Sequence, residues 1–169
     1  MQNKIDTLCV QLGQLLVKHE GMLATAESCT GGLLAGAITT IAGSSAWFDR
    51  GWITYSNDAK RKELHVSADA LKAFGAVSEE VAREMAQGAL AQAPRAKLAL
   101  ATTGIAGPGG GSPGKPVGLV CFGFARRTEN GIEVRSVAKI FEGDRQAVRE
   151  ASVHFSLLTA CEWLLSDAR

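Results

Sequence analysis

The sequence predicts an α/β fold, a layered sandwich with a mixed sheet, in one domain spanning 1–169. Three observations carry this. Apolar residues recur at helical spacing at both ends of the chain: Ile5, Leu8, Cys9, Leu12, Leu15 and Leu16, then Val148, Ala151, Phe155, Leu158, Cys161 and Leu165. Five short apolar or β-branched runs lie between them, interrupted by a helical segment. A chain of 169 residues can bury one core without help from disulfides or a metal. Helices placed before, among and after strands must cover the faces of a sheet to hide their apolar stripes.

Taken in order, the first stripe predicts a helix that stops near Gly21. MLATA (22–26) then reads as a buried strand, and TGGLLAGAITTIAG (30–43) as a helix of small residues able to pack closely on a sheet. GWITYS (51–56) is the second strand by its aromatic and β-branched content. From Asn57 to Ala93 the signals are helical in three pieces. Asn57 or Asp58 is the expected cap of the first piece and Ser67 of the second; Ser78, followed by Glu79 and Glu80, caps the third. KLALATT, VGLVCFGFA and IEVRSVAKIFE complete the strands, the last two joined at TENG, and the C-terminal stripe forms a closing helix.

Charge is nearly balanced, with 18 Lys and Arg against 17 Asp and Glu and a net of +1. No basic face marks a nucleic-acid partner. No stretch is long and uncharged enough to span a bilayer, and the N-terminus lacks an uninterrupted apolar run, so a cytoplasmic protein with no membrane partner is expected. Cys9, Cys29, Cys121 and Cys161 form no C-x-x-C pair and read as mostly buried reduced thiols, not a disulfide framework or a zinc site.

Two Gly-rich loops break the pattern, and such loops carry chemistry on rigid scaffolds. GGGSPGKP (109–116) fits the first part of a phosphate-loop template, but Pro116 stands where Ser or Thr must bind magnesium, and a strand follows instead of a helix. That loop is either a connection or a ligand-contacting lid. The other, TAESCTGG (25–32), places Ser28 at the carboxyl end of a buried strand ahead of a helix, where ligands collect in open α/β sheets. Gly31 and Gly32 have no side chains to cover their N–H groups, which suits a developing oxyanion. The nucleophile-elbow motif G-x-S-x-G is not met, since Ala26 and Thr30 occupy the glycine positions. Ser28 and Thr30 also read as helix caps, and both readings stand at this point.

A serine nucleophile needs a base. His19, His65 and His154 have no acidic partner near a strand end beside Ser28, so a Ser-His-Asp triad has little support. Lys60 follows the second strand in TYSNDAK, and pairing of the two strands would bring it to Ser28; burial near Trp52 and Tyr55 would lower its pKa. AKRKEL reads equally as a solvated helix face. At the start of the closing helix, Arg145 in Gly143-Asp144-Arg145 either grips an anion or pairs with Glu142 or Glu150 while Asp144 caps.

TAESCTGG, IAGSSAWFDRGWITYSNDAK, AVSEEVAREMAQGAL, TTGIAGPGGG with KPVGLVCFGFA, and the GDR at 143–145 together resemble the carboxy-terminal domain of the CinA (competence/damage-inducible) family, over nearly the whole chain and in the same order. The resemblance implies a three-layer α/β/α sandwich, no metal or organic cofactor, and, for the stand-alone form of the domain, hydrolysis of the carboxamide of nicotinamide mononucleotide to nicotinate mononucleotide and ammonia. It implies Ser28 as nucleophile, Lys60 as base and Tyr55 holding or relaying the proton. Cys29 is then a packed thiol, the alternative being that it is itself the nucleophile. Thr30, Gly31, Gly32, Thr103, Gly104 and Arg145 are expected around the substrate, with amides near Gly31, Gly32 or Gly104 receiving the oxyanion and Arg145 reading the phosphate. The partner is a small nucleotide, and a homo-oligomer, a dimer first, is expected. The alternative function is a catalytically inactive relative that binds a nucleotide as a regulatory module.

Overall fold

A computed structural model describes residues 1–166. Along the chain it holds α1 (Gln2–Lys18), β1 (Met22–Glu27), α2 (Leu33–Thr39), a 3-10 turn at Ser44–Ala46, β2 (Phe48–Ile53), α3 (Asn57–Leu64), α4 (Ala68–Phe74), α5 (Glu79–Gln92), β3 (Ala96–Gly104), β4 (Leu119–Thr128), β5 (Gly131–Ile140) and α6 (Arg145–Ser166). The five strands form one mixed sheet in the order β2-β1-β3-β4-β5, with β1 parallel to both neighbours and β3, β4 and β5 antiparallel in succession. Among the described residues no helix is long and apolar enough to cross a membrane.

Period-two alternation along the central strands sorts the two cores. Leu23, Leu98, Leu100 and Phe122 point to the face covered by α1, α2 and α6, with Leu12, Leu16, Leu157 and Trp163. Ala24, Ala26, Ala99 and Ala101 point to the other, covered by α3, α4 and α5 through Leu64, Ala70, Val81, Met85 and Ala86. The expected three-layer α/β/α sandwich follows directly. An alanine-rich inner face lets α5 lie close on the sheet, closest at Gly123, where an added Cβ would collide with the Ala82 carbonyl.

Several elements differ from expectation for local reasons. The helix expected over 30–43 is only α2, because Gly31 and Gly32 take φ of 55° and 98° and form a turn before it. Consecutive left-handed residues fit a type I′ turn, which glycine adopts without strain. The second strand starts and ends earlier, at Phe48–Ile53, which leaves Tyr55 beyond it. Ser56, and neither Asn57 nor Asp58, caps α3 by accepting the Ala59 N–H at 3.1 Å. Ser67 and Ser78 cap α4 and α5 as expected. The first helix stops with Glu20 in the left-handed region at φ 51°, and the Gly21 N–H closes on the Leu16 carbonyl. In α6 the buried stripe is displaced: Ser152, Val153, Ser156, Leu157 and Trp163 are buried while Leu165 is exposed. Apolarity alone misplaces that face because Ser152 and Ser156 hide their hydroxyls on the Val148 and Ser152 carbonyls. All four cysteines are buried and free.

Close packing at Gly123 gives a stability test. Gly123→Ala is expected to destabilise the protein by about 2 to 3 kcal/mol and to lower Tm by about 5 to 10 °C. Gly109→Ala, where a Cβ meets nothing within 4 Å, is expected to change Tm by less than about 1 °C. Thermal unfolding of the two variants beside the parent chain checks both.

Candidate active site

The carboxyl ends of β1, β2 and β3 place the site. Backbone pairing runs past the strands: the Ser28 N–H donates to the Thr102 carbonyl at 2.9 Å and the Thr54 N–H to the Glu27 carbonyl at 2.9 Å. Ser28 is thereby held between β2 and β3, and α3 starts three residues after Thr54. Lys60 sits in the first turn of α3, where helical side chains lean back toward the N-terminus. Its Nζ reaches the strand ends, 3.0 Å from Ser28 Oγ and 2.9 Å from the Thr54 carbonyl to which it donates.

Lys60 is only 1% exposed, the largest fully buried side chain among the described residues, and makes no ion pair among them. Burial pushes its pKa below the ordinary 10.5, opposed weakly by the neighbouring Cys29. Cys29 packs into the core beside Leu23 and Leu34, and burial pushes its thiol up to about 12. At neutral pH a thiol so placed is protonated and a poor nucleophile. The hydroxyl faces an amine inclined to be neutral, and the adjacent thiol is held unreactive.

These groups open on a pocket of about 200 Å³, lined by Ser28, Cys29, Tyr55, Asn57, Lys60, Ala76, Val77, Thr103, Gly104, Ala106 and Arg145. Thr103 Oγ1 donates to the Ala76 carbonyl at 2.7 Å and so ties the α4–α5 connection to the end of β3 as one wall. At the mouth, Arg145 donates from Nη1 to the Gly107 carbonyl at 2.8 Å and from Nη2 to the Tyr55 hydroxyl at 3.0 Å. Arg145 has no carboxylate partner among the described residues; Asp144 caps α6 at the Ala147 N–H instead. Tyr55 is 62% exposed and bonds to neither Ser28 nor Lys60, so it stands at the rim and outside the proton path expected for it.

Thr30, Gly31 and Gly32 do not line this pocket. Thr30 is buried with its hydroxyl 2.7 Å from that of Thr102. The Gly31 N–H closes a turn on the Ser28 carbonyl at 3.0 Å, and the Gly32 N–H donates to the Glu27 carboxylate at 3.2 Å, so neither amide is open to an oxyanion. In this turn the Thr30 N–H has no acceptor among the described residues, whereas the Cys29 N–H turns to its own thiol. Gly104 adds a second open amide: the Ile105 N–H donates to Leu119 of β4, so by strand alternation the Gly104 N–H faces the Ser28 side. A Cβ at Gly104 would press on the Leu119 carbonyl at 2.7 Å.

Sequence reasoning missed two charged residues that build the loop. Glu27, 1% exposed, accepts the N–H groups of Gly32, Leu34 and Ala35 and is the true cap of α2, supplied from the strand before it. Its signal was a carboxylate ending an otherwise apolar strand. Arg149 donates to the Cys29 and Thr30 carbonyls at 3.2 and 3.1 Å. Asn57, Ala76, Val77 and Ala106 complete the lining and carry no chemical signature. The three histidines lie away from the pocket.

Comparison with known proteins agrees with this architecture. The family model described as the CinA C-terminal domain matches residues 5–164. A protein of Enterobacter agglomerans named nicotinamide-nucleotide amidohydrolase PncC is 51% identical over 159 residues, 94% of each chain. The crystal structure of a CinA superfamily protein from Klebsiella pneumoniae superposes with a TM-score of 0.89 at 37% identity, covering 96% of this chain and 98% of that one. A competence/damage inducible protein, CihA, from Agrobacterium tumefaciens gives 0.85 at 46% identity, covering 94% and 96%. With a matched model over nearly its whole length and a half-identical relative, the chain belongs to the CinA C-terminal domain family.

Proposed function

We propose that this chain is an amidohydrolase that cleaves the carboxamide of nicotinamide mononucleotide, giving nicotinate mononucleotide and ammonia through a Ser28 nucleophile and a neutral Lys60 base. The observation that carries the reading is the buried amine 3.0 Å from Ser28 Oγ with no carboxylate among the described residues paired to it. A site that only held a phosphate has no need of a neutral base against a hydroxyl. The name of the Enterobacter agglomerans relative supports the substrate.

In the first step the Ser28 hydroxyl proton passes to Lys60 Nζ as Oγ bonds to the amide carbon. The carbonyl oxygen becomes an oxyanion, for which the open amides of Thr30 and Gly104 are the candidate donors. Collapse breaks the C–N bond, Lys60 returns the proton to the leaving nitrogen, and ammonia departs from an acyl ester on Ser28. Water then gives a proton to Lys60 as its oxygen attacks the ester; Lys60 passes that proton to Ser28 Oγ as the acyl C–O bond breaks, and the released acid ionises to the carboxylate with its proton going to solvent. The pocket of about 200 Å³ suits the pyridine ring and its amide, leaving ribose and phosphate toward the mouth, where Arg145 carries a charge that no carboxylate among the described residues pairs. The partner in this reading is a small nucleotide, with neither nucleic acid nor membrane and with a homo-oligomer as the assembled form.

Ammonia release on adding nicotinamide mononucleotide tests the function. Ser28→Ala is expected to lose at least a thousandfold in kcat with its fold intact, while Cys29→Ala retains turnover. The opposite pattern assigns the nucleophile to Cys29, and no release by the parent chain leaves a binding module.

Lys60 ties activity to pH. The rate is expected to rise with pH along one ionisation below 10.5, since only the neutral amine accepts the proton, and Lys60→Arg is expected to be inactive because guanidinium stays charged. Lys60→Met is also inactive but is expected to melt higher than the parent, because a lone buried amine is replaced by an apolar chain. That gap narrows as pH rises toward 10.5: the unfolded parent binds more protons than the folded one in that range, so its stability climbs with pH. Rate profiles and melting curves from pH 6 to 10 check the sign of each.

Arg145→Ala is expected to cost about 2 kcal/mol in kcat/KM for the mononucleotide and little for the riboside. Steady-state kinetics on both substrates decides this, and an equal loss on both removes Arg145 from phosphate recognition.

A further inference from the structure

The turn that carries Ser28 is held from behind by a side chain the proposed reaction does not use. Arg149, half-buried in the second turn of α6, donates from Nε to the Cys29 carbonyl at 3.2 Å and from Nη2 to the Thr30 carbonyl at 3.1 Å. It has no carboxylate partner among the described residues, so its charge falls on these two peptide groups. A trans peptide points its N–H opposite to its C=O. With the Cys29 carbonyl fixed on the guanidinium, the Thr30 N–H of the same peptide is turned away from α6. That amide has no acceptor among the described residues. The Thr30 carbonyl, which also accepts the Leu33 N–H, belongs to the peptide whose N–H at Gly31 closes the turn on Ser28. Arg149 thus fixes two successive peptides of the turn, one with an open N–H and one that sets the Ser28 carbonyl.

We propose that Arg149 is a positioning residue for the oxyanion: it orients and polarises the Cys29–Thr30 peptide so that the Thr30 N–H meets negative charge developing on the carbonyl bonded to Ser28. This rests on the Ser28 mechanism above. A cation behind a carbonyl strengthens the N–H of that peptide as a donor, and a fixed dipole aimed at developing charge lowers the barrier without binding the ground state more tightly. Glu27 holds the amides of Gly32, Leu34 and Ala35 and the Thr30 hydroxyl meets that of Thr102 at 2.7 Å, so these groups are tied separately, while among the described residues the Cys29 carbonyl is held by Arg149 alone.

The test compares Arg149→Ala and Arg149→Lys with the parent chain. Arg149→Ala is expected to lower kcat for nicotinamide mononucleotide about 30- to 300-fold, on the scale of one oxyanion donor, while KM changes less than about threefold and the pH midpoint set by Lys60 stays in place. Arg149→Lys, whose ammonium reaches only one carbonyl well, recovers part of the rate, and free guanidinium added to Arg149→Ala recovers part as well. A second readout needs no turnover. Pyridine-3-boronic acid forms a B–O bond to Ser28 Oγ as the hydroxyl proton leaves for Lys60, giving a tetrahedral anion; Ser28→Ala abolishes this binding. Arg149→Ala is expected to weaken it at least tenfold and to leave binding of nicotinate mononucleotide unchanged. Equal losses in boronate and nucleotide binding, or a fall in kcat tracking a lower Tm in both variants, make Arg149 a structural tie and overturn the proposal. Full boronate binding by Arg149→Ala does the same. If the parent chain binds boronate through Ser28 yet releases no ammonia, the amidase reading fails and the boronate comparison still decides the role of Arg149.

Discussion

Burial of a single amine governs this fold's active end. Lys60 is taken out of water with only a hydroxyl and a carbonyl to meet it. An ammonium so placed loses hydration that two neutral partners do not restore, and the protein lowers that cost by favouring the uncharged form. The state that costs least is therefore the state that accepts a proton. Its surroundings preserve the condition: the Ala76-Val77 wall is apolar, Glu27 beside Ser28 is saturated by three amides, and Asp58, two residues away along the chain, pairs with Lys62. A free carboxylate at Glu27 turned toward Lys60 would favour the charged form of the amine.

Chain topology explains why this amine meets this serine. From β1 the chain leaves through α2 on one face to reach β2 at one side, then returns through α3, α4 and α5 on the other face to reach β3 at the opposite side. β1 is the strand from which the connections diverge, and such a strand end lies outside the cover of either helical layer. Ser28 occupies that opening. Lys60 belongs to the first helix of the returning connection, and Thr103 and Gly104 to the strand where it ends. Three segments far apart in sequence converge because one strand sits between two parallel neighbours.

Much of this was legible in the residues. Strand alternation in Leu98, Ala99, Leu100 and Ala101 fixes which face each core occupies, and serine caps at Ser67 and Ser78 locate two helices. Adjacency of the first two strands was enough to bring Lys60 to Ser28. What escaped were side chains whose partners are backbone groups distant in sequence. Glu27 reaches forward to α2, and Arg149 reaches across 120 positions to a carbonyl, so neither leaves a periodic or compositional trace. The amides of Gly31 and Gly32 are taken up for a related reason. Bare amides beside a serine suggest an oxyanion site, but two left-handed glycines first serve the turn, and their N–H groups are consumed in making it. In α6 the buried serines displaced the expected face, since a hydroxyl bonded to its own helix behaves as a small apolar group.

The closing helix joins the mouth of the pocket to the turn that carries Ser28. Arg145 and Arg149 are four residues apart and share one face of α6, about one turn from each other. Arg145 binds Tyr55 and the Gly107 carbonyl at the mouth; Arg149 binds the carbonyls of the Ser28 turn. One rigid element thus touches both the rim and the floor of the pocket. A rigid helix anchored in the core by Val148, Val153 and Leu157 transmits little slack between its turns. An anion drawn to Arg145 is therefore registered against a frame that also fixes the amides behind Ser28. Binding energy from a remote group is useful to a reaction only if that group and the reacting centre are held to a common frame. Here α6 is that frame: the closing helix both covers the sheet and holds the mouth of the pocket and the Ser28 turn to one rigid element.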